Sequence, residues 1–194
     1  RARMRDARYP ILGANVTDAS GRDIAWIPDD TIVTVGRLRV GIVGIATVVT
    51  PTTTKPANVA DLRFVDPIPV VNRSAKAMRA RGAQLVVVVA HAGAFCSQTP
   101  TPSCDGEIVD LARGITERVD AIVSGHTHSP VTTVINNIPI VQARSHGSAL
   151  GNHEFDWGQD TRRARMRDAR YPILGANVTD ASGRDIAWIP DDTV

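Results

Sequence analysis

The sequence predicts an α/β fold, a mixed β-sheet flanked by helices, on three observations. Leu85 to Ala90 is a continuous run dominated by valine, the pattern of a central strand covered on both faces. Stretches of helical apolar spacing lie before and after that run, which is the alternation that builds sheets with crossover helices. Two hairpin signals, Gly36-Arg37 and Asn136-Asn137, add antiparallel strands.

Taken in order, Pro10 to Val16 reads as a buried strand ending at the Gly13-Ala14-Asn15 turn, and Ile24 to Ile27 as a short strand after the turn residues 18–22. Thr31 to Val35 and Leu38 to Ile45 form the first hairpin. Gly41 and Gly44 lie inside that strand pattern, so close backbone packing is expected there rather than a phosphate loop. Residues 46–60, rich in Thr and Pro, read as a loop. Val70, Val71, Ala75 and Met78 give Pro67 to Arg81 a helical stripe, which Gly82 stops. Asp105 to Ile115 is a second helix with acidic residues in its first turns. Ala121 to Ser124 is a buried strand, and Val131 to Ile135 pairs with Ile138 to Ala143 across the asparagines.

The 194 residues carry a net charge of +2 and 43% hydrophobic residues, enough for one domain with a sizeable core. Only 4% are aromatic, so Val, Ile and Ala must fill it. So small a charge does not point to a nucleic-acid polymer as partner. The basic run Arg1 to Arg8, copied at Arg163 to Arg170, reads as a solvated helix face, with a phosphate or membrane patch as the alternative. No apolar stretch is long enough to span a membrane as a helix. No secretory leader is legible, and a chain opening on Arg1 is expected to start beyond its natural beginning. Cys96 and Cys104 share one Pro/Thr-rich loop, where a local disulfide and two thiols both remain open.

Residues 1–31 recur letter for letter as residues 163–193. Structural repeats drift and usually come in three or more copies, so identity without drift points to a recent duplication, a permutation or a joining error. The chain is expected to be one incomplete domain, 1–194, with a junction near Gly151. Two identical Gly-Ala-Asn-Val segments then compete for one place in the sheet, which predicts a displaced copy or a strand-swapped homo-oligomer.

The histidines carry the functional reading. All five (His91, His126, His128, His146, His153) fall at loop positions. His91 and His126 each follow a buried strand, where open α/β sheets place their ligands. In Gly151-Asn152-His153-Glu154-Phe155-Asp156-Trp157-Gly158, Asn152 offers an oxygen ligand and His153 an imidazole. Asp156, three residues on, lies on the same face of any helix starting there and can orient that ring.

These segments, GNHEFDWG, GANV, AHAG after a strand, and GHTH, resemble the calcineurin-like metallophosphoesterases, and within them the 5'-nucleotidase/UDP-sugar hydrolase branch. The resemblance implies a partial metallophosphoesterase sandwich of mixed β-sheets, permuted because GNHE here follows GHTH rather than preceding it. It implies hydrolysis of phosphate esters, nucleoside 5'-monophosphates above all, through a water activated by divalent ions such as zinc or manganese. By the same resemblance Asn152, His91 and His126 would bind one ion and His128 the other. His153, held by Asp156, would stabilise the transition state or protonate the leaving oxygen. His146 has no part in these motifs and reads as a surface or supporting residue rather than a ligand, and Arg144 reads as a surface salt-bridge residue, with approach to a phosphate as the alternative. The family's Asp-x-His and Gly-Asp ligand motifs are absent from the sequence. A non-catalytic fragment that keeps the fold and at most one metal is therefore the alternative. The resemblance also implies a periplasmic or extracellular protein engaged in nucleotide breakdown.

Overall fold

In the computed structural model, residues 9–97 and 103–145 are described. Residues 1–143 form one compact unit; of the second, residues 144–194, only the first two residues are described. The elements, in chain order, are β1 (Val16–Asp18), β2 (Asp30–Val35), β3 (Leu38–Ala46), α1 (Thr50–Thr53), β4 (Leu62–Phe64), α2 (Pro67–Ala80), β5 (Leu85–His91), β6 (Phe95–Cys96), β7 (Cys104–Asp105), α3 (Glu107–Gly114), β8 (Ala121–Ser124), β9 (Val131–Ile135) and β10 (Ile138–Gln142). A 3₁₀ turn, Pro56–Asn58, follows α1.

Six strands form the central sheet in the order β2-β3-β5-β8-β10-β9. The inner four run parallel and the two edges antiparallel, so the predicted mixed sheet is present. Parallel pairing brings Ala46, His91, Ser124 and Gln142 to one end of the sheet, the carboxyl end of its strands. Two asparagines in left-handed backbone, Asn136 and Asn137, make the β9–β10 turn, as two-residue hairpin geometry requires.

The α2 helix begins where Asp66 accepts a hydrogen bond from the Ile68 amide at 2.9 Å, with Pro67 in its first turn. It ends with Gly82 at φ 90°. The Ala83 amide bonds Met78 O and the Gly82 amide bonds Arg79 O, the paired bonds of a Schellman stop. Its buried stripe, Val70, Val71, Ser74, Ala75 and Met78, packs with Ile108, Val109 and Leu111 of α3 on Val43, Val86, Val88, Ile122 and Ile140 of the sheet. Burial of each large apolar side chain here contributes roughly 1.5–3 kcal/mol.

Four expectations are corrected. Among the described residues the valine run of β5 is covered on one face: Val86 and Val88 are fully buried, whereas Val89 and its sheet neighbour Val123 are each 45% exposed. A strand was expected over Pro10 to Val16, but the ladder starts at Val16 and pairs with β4 rather than the main sheet. Residues 13 and 14 instead bond Pro28 O and Gly44 O singly. Ile24 to Ile27 is a turn, closed from the Ile27 amide to Ile24 O. Residues 46–60, expected as loop, contain α1 and the 3₁₀ turn.

The close packing expected at the β3 glycines is present. A Cβ on Gly44 would lie 2.3 Å from Leu12 Cβ, and one on Gly41 2.6 Å from Met78 Sδ. Beside Gly44, Asn15 is fully buried. Its side chain donates to Ala46 O (2.8 Å) and Val65 O (3.1 Å) and accepts from the Ala46 amide (2.9 Å). Asn15 of the first copy of the duplicated segment is thus seated in the domain.

Candidate metal centre

His91 is the last residue of β5, one position earlier relative to the strand end than the sequence pattern placed it. Strand alternation puts its ring on the open face of the sheet, in line with Val87 and Val89. His126 lies in the loop after β8, the next strand. The two imidazoles meet: His126 Nδ1 and His91 Nε2 are 3.1 Å apart, with ring centroids 4.8 Å apart and planes inclined by 64°.

The loop carrying His126 is an unusual piece of backbone. His126 has φ 79° and His128 φ 57°, values that side-chain-bearing residues seldom adopt. The Thr127 amide bonds Gly125 O at 3.0 Å, a hydrogen bond spanning two residues around a positive-φ centre, which marks the strained form of γ-turn. Such strain persists where the surroundings over-determine it. Here Gly93 lies so close beneath the loop that a Cβ on it would fall 2.2 Å from Gly125 O and 2.5 Å from Thr127 Oγ1. Gln142, 4% exposed at the end of β10, joins the same contact.

Desolvation at the sheet end, followed by the charges of His126 and His128, lowers the His91 pKa, with Glu107 opposing. An imidazole held neutral has its lone pair available to a metal. The separation also fits one ion. With metal–nitrogen bonds of about 2.0–2.1 Å, a 3.1 Å ligand spacing subtends roughly 100° at the metal, within the range of tetrahedral and octahedral sites. The carboxylate of Glu107 is engaged elsewhere: it accepts from Thr47 Oγ1 (2.5 Å) and from the Val48 amide (2.9 Å), tying the end of β3 to the start of α3. Among the described residues no three His, Cys, Asp or Glu side chains gather as a metal-binding group.

The structure therefore joins His91 to His126 and places His128 two residues on in the same loop. Asn152, His153 and Asp156 lie outside the described residues, as does His146. Cys96 and Cys104, left open by the sequence, form a disulfide that closes the β6–β7 hairpin just after His91. Sequence reasoning missed Thr127, Gln142 and Glu107. For Thr127 the only hint is its place between two histidines; a glutamine ending an alternating strand gives no hint at all.

The domain has the fold of the calcineurin-like phosphoesterases. It superposes on the crystal structure of the calcineurin-like phosphoesterase YfkN from Bacillus subtilis with a TM-score of 0.61 at 25% identity, covering 75% of this chain and 49% of that one. Within that class the sequence relatives narrow the likeness. The chain is 26% identical over 171 residues to a snake venom 5'-nucleotidase of Gloydius brevicauda, covering 76% of this chain and 27% of the relative. It is 27% identical over 143 residues to the endonuclease YhcR of Bacillus subtilis, covering 74% of this chain and 11% of the relative. No family model matches the chain. The chain thus spans 27% of the length of the first of these sequence relatives and 11% of the second, and it is similar to a partial 5'-nucleotidase-like domain.

Proposed function

We propose that this chain is the metal-binding part of a phosphoesterase that hydrolyses nucleotides, nucleoside 5'-monophosphates first among them. The observation that carries the proposal is the 3.1 Å approach of His91 Nε2 to His126 Nδ1 at the carboxyl end of the parallel strands. His91 and His126 hold one divalent ion such as zinc or manganese, with Asn152 as an oxygen ligand, and His128 serves a second ion. The metal, when bound, would supply an activated water and neutralise charge on the phosphoryl oxygens. The strained loop fixes His126 against His91 before any ligand arrives. Lowering of the His91 pKa, chiefly by desolvation, favours its neutral ring. His153, oriented by Asp156, delivers a proton to the leaving oxygen. A disulfide and a relative found in snake venom support an exported protein.

The test is Mn²⁺-dependent release of phosphate from AMP by the purified chain, beside His126→Ala and His153→Ala. Release lost in both variants supports the proposal. Release that is absent, or unchanged by either substitution, sinks the enzymatic reading for this chain. A second reading, a domain that holds one ion without turnover, draws support from Glu107: the carboxylate that bears on His91 is already bound to Thr47 and Val48. Binding of one equivalent of metal without phosphate release would select it.

A further inference from the structure

The geometry points to Gln142 as the positioning residue of the histidine pair, an inference that rests on the metal-binding reading above. Its amide is buried and nearly saturated with hydrogen bonds, two of them to the loop that carries His126 and His128 and one to Ser124, the last residue of β8. Nε2 donates to Thr127 Oγ1 at 2.7 Å and to Ser129 O. Oε1 accepts from Ser124 Oγ at 3.1 Å. Gln142 therefore grips the end of β8 before His126, and the loop between the two histidines and after His128. Thr127 passes the grip on: having accepted from Gln142, its hydroxyl donates to Ala94 O at 2.8 Å, three residues beyond His91. One amide on β10 thus links the two segments whose imidazoles meet.

The chemistry requires a glutamine. Two donors and an acceptor are needed on one short planar group, and a buried amide supplies them without charge. A carboxylate of the same shape keeps the acceptor for Ser124 but loses both donated bonds. A thioether keeps the volume and loses all three. The loop these bonds restrain stores backbone strain at His126 and His128, so without them it relaxes to ordinary dihedrals and His126 Nδ1 leaves His91 Nε2. Groups that hold metal ligands in place from behind typically change metal affinity by about 10- to 100-fold when removed.

The experiment uses the full chain, Gln142→Met, Gln142→Glu, and Asn72→Ala as a matched control. Asn72 ties α2 to the end of α3 and the residues after it through three bonds, to Gly114 O, the Thr116 amide and the Glu117 amide, so its loss weakens the fold away from the histidines. Two readouts are taken: Co²⁺ affinity by calorimetry, and the ¹⁵N shifts of the imidazole nitrogens in metal-free protein. Both Gln142 variants are expected to bind Co²⁺ about 10- to 100-fold more weakly and to lose the shift pattern of the His91–His126 hydrogen bond. Asn72→Ala is expected to keep both while melting lower. Gln142 variants that retain the affinity and the imidazole pattern would overturn the inference, as would an Asn72→Ala protein that loses them equally. If the parent binds no Co²⁺, the metal reading falls, and the imidazole shifts alone still decide the role of Gln142.

Discussion

Replacing Asn15 with alanine tests how the duplicated segment is seated, because its identical counterpart, Asn177, sits in the second copy. Asn15 is fully buried and makes three side-chain bonds, two donated and one accepted, that join the end of β3 to the residue after β4. Alanine leaves two carbonyls and one amide without those partners. Each buried group deprived of its bond costs about 1–3 kcal/mol; taking the low end for three groups gives about 3 kcal/mol. For a domain of this size that is a fall of roughly 6–12 °C in Tm. The assay is thermal unfolding followed by circular dichroism at low micromolar concentration, with Asn15→Ala, Asn177→Ala and the double variant side by side. Asn15→Ala is expected to fall by that amount and Asn177→Ala to match the parent. An Asn15→Ala protein as stable as the parent, with loss only in the double variant, would refute the reasoning, because it would mean that the copies interchange.

Three further outcomes are expected. At high concentration the second copy exchanges into the groove of a neighbouring chain, giving a dimer by light scattering that Asn177→Ala abolishes; a monomer at every concentration would count against exchange. Opening the Cys96–Cys104 bridge, which spans eight residues of sequence, costs about 2–3 kcal/mol by loop-closure entropy; comparison of urea midpoints for Cys96→Ser/Cys104→Ser and the parent measures it. His91 has its folded pKa lowered below the ordinary 6.5, so the unfolded chain takes up a proton first as pH falls. Stability is then fully present above about pH 6.5 and declines below it towards the folded pKa, and His91→Gln flattens that slope in urea titrations at graded pH.

What the sequence revealed and what it concealed follow from the range of the forces involved. Local patterns were legible: the helical stripe ending at Gly82, the asparagine hairpin, and the valine run of β5. Their causes lie within a few residues of one another. The coverage of β5 was not legible, because a run of valines shows that a strand is apolar but not which layers lie against it. Pro10 to Val16 is equally apolar, yet its burial comes from lying across Gly44 rather than from a ladder, and composition cannot separate the two. Ile24 to Ile27 has strand-like side chains but closes a turn just before Pro28, which has no amide to give. At the site, the histidines could be found because His in loops after strands is rare and chemically pointed. Gln142 could not, since the burial that makes its amide matter arises only when β10 pairs beside β8. Whether Cys96 bonds Cys104 likewise depended on the hairpin that brings them face to face.

The central claim is that His91 and His126 hold one metal ion between them, and crystals soaked in Mn²⁺ or Zn²⁺ test it most directly by anomalous diffraction. The account predicts an anomalous peak about 2.0–2.2 Å from both His91 Nε2 and His126 Nδ1. Crystals at saturating metal that show no such peak, with the two nitrogens still in hydrogen-bond contact at 3.1 Å, would contradict it.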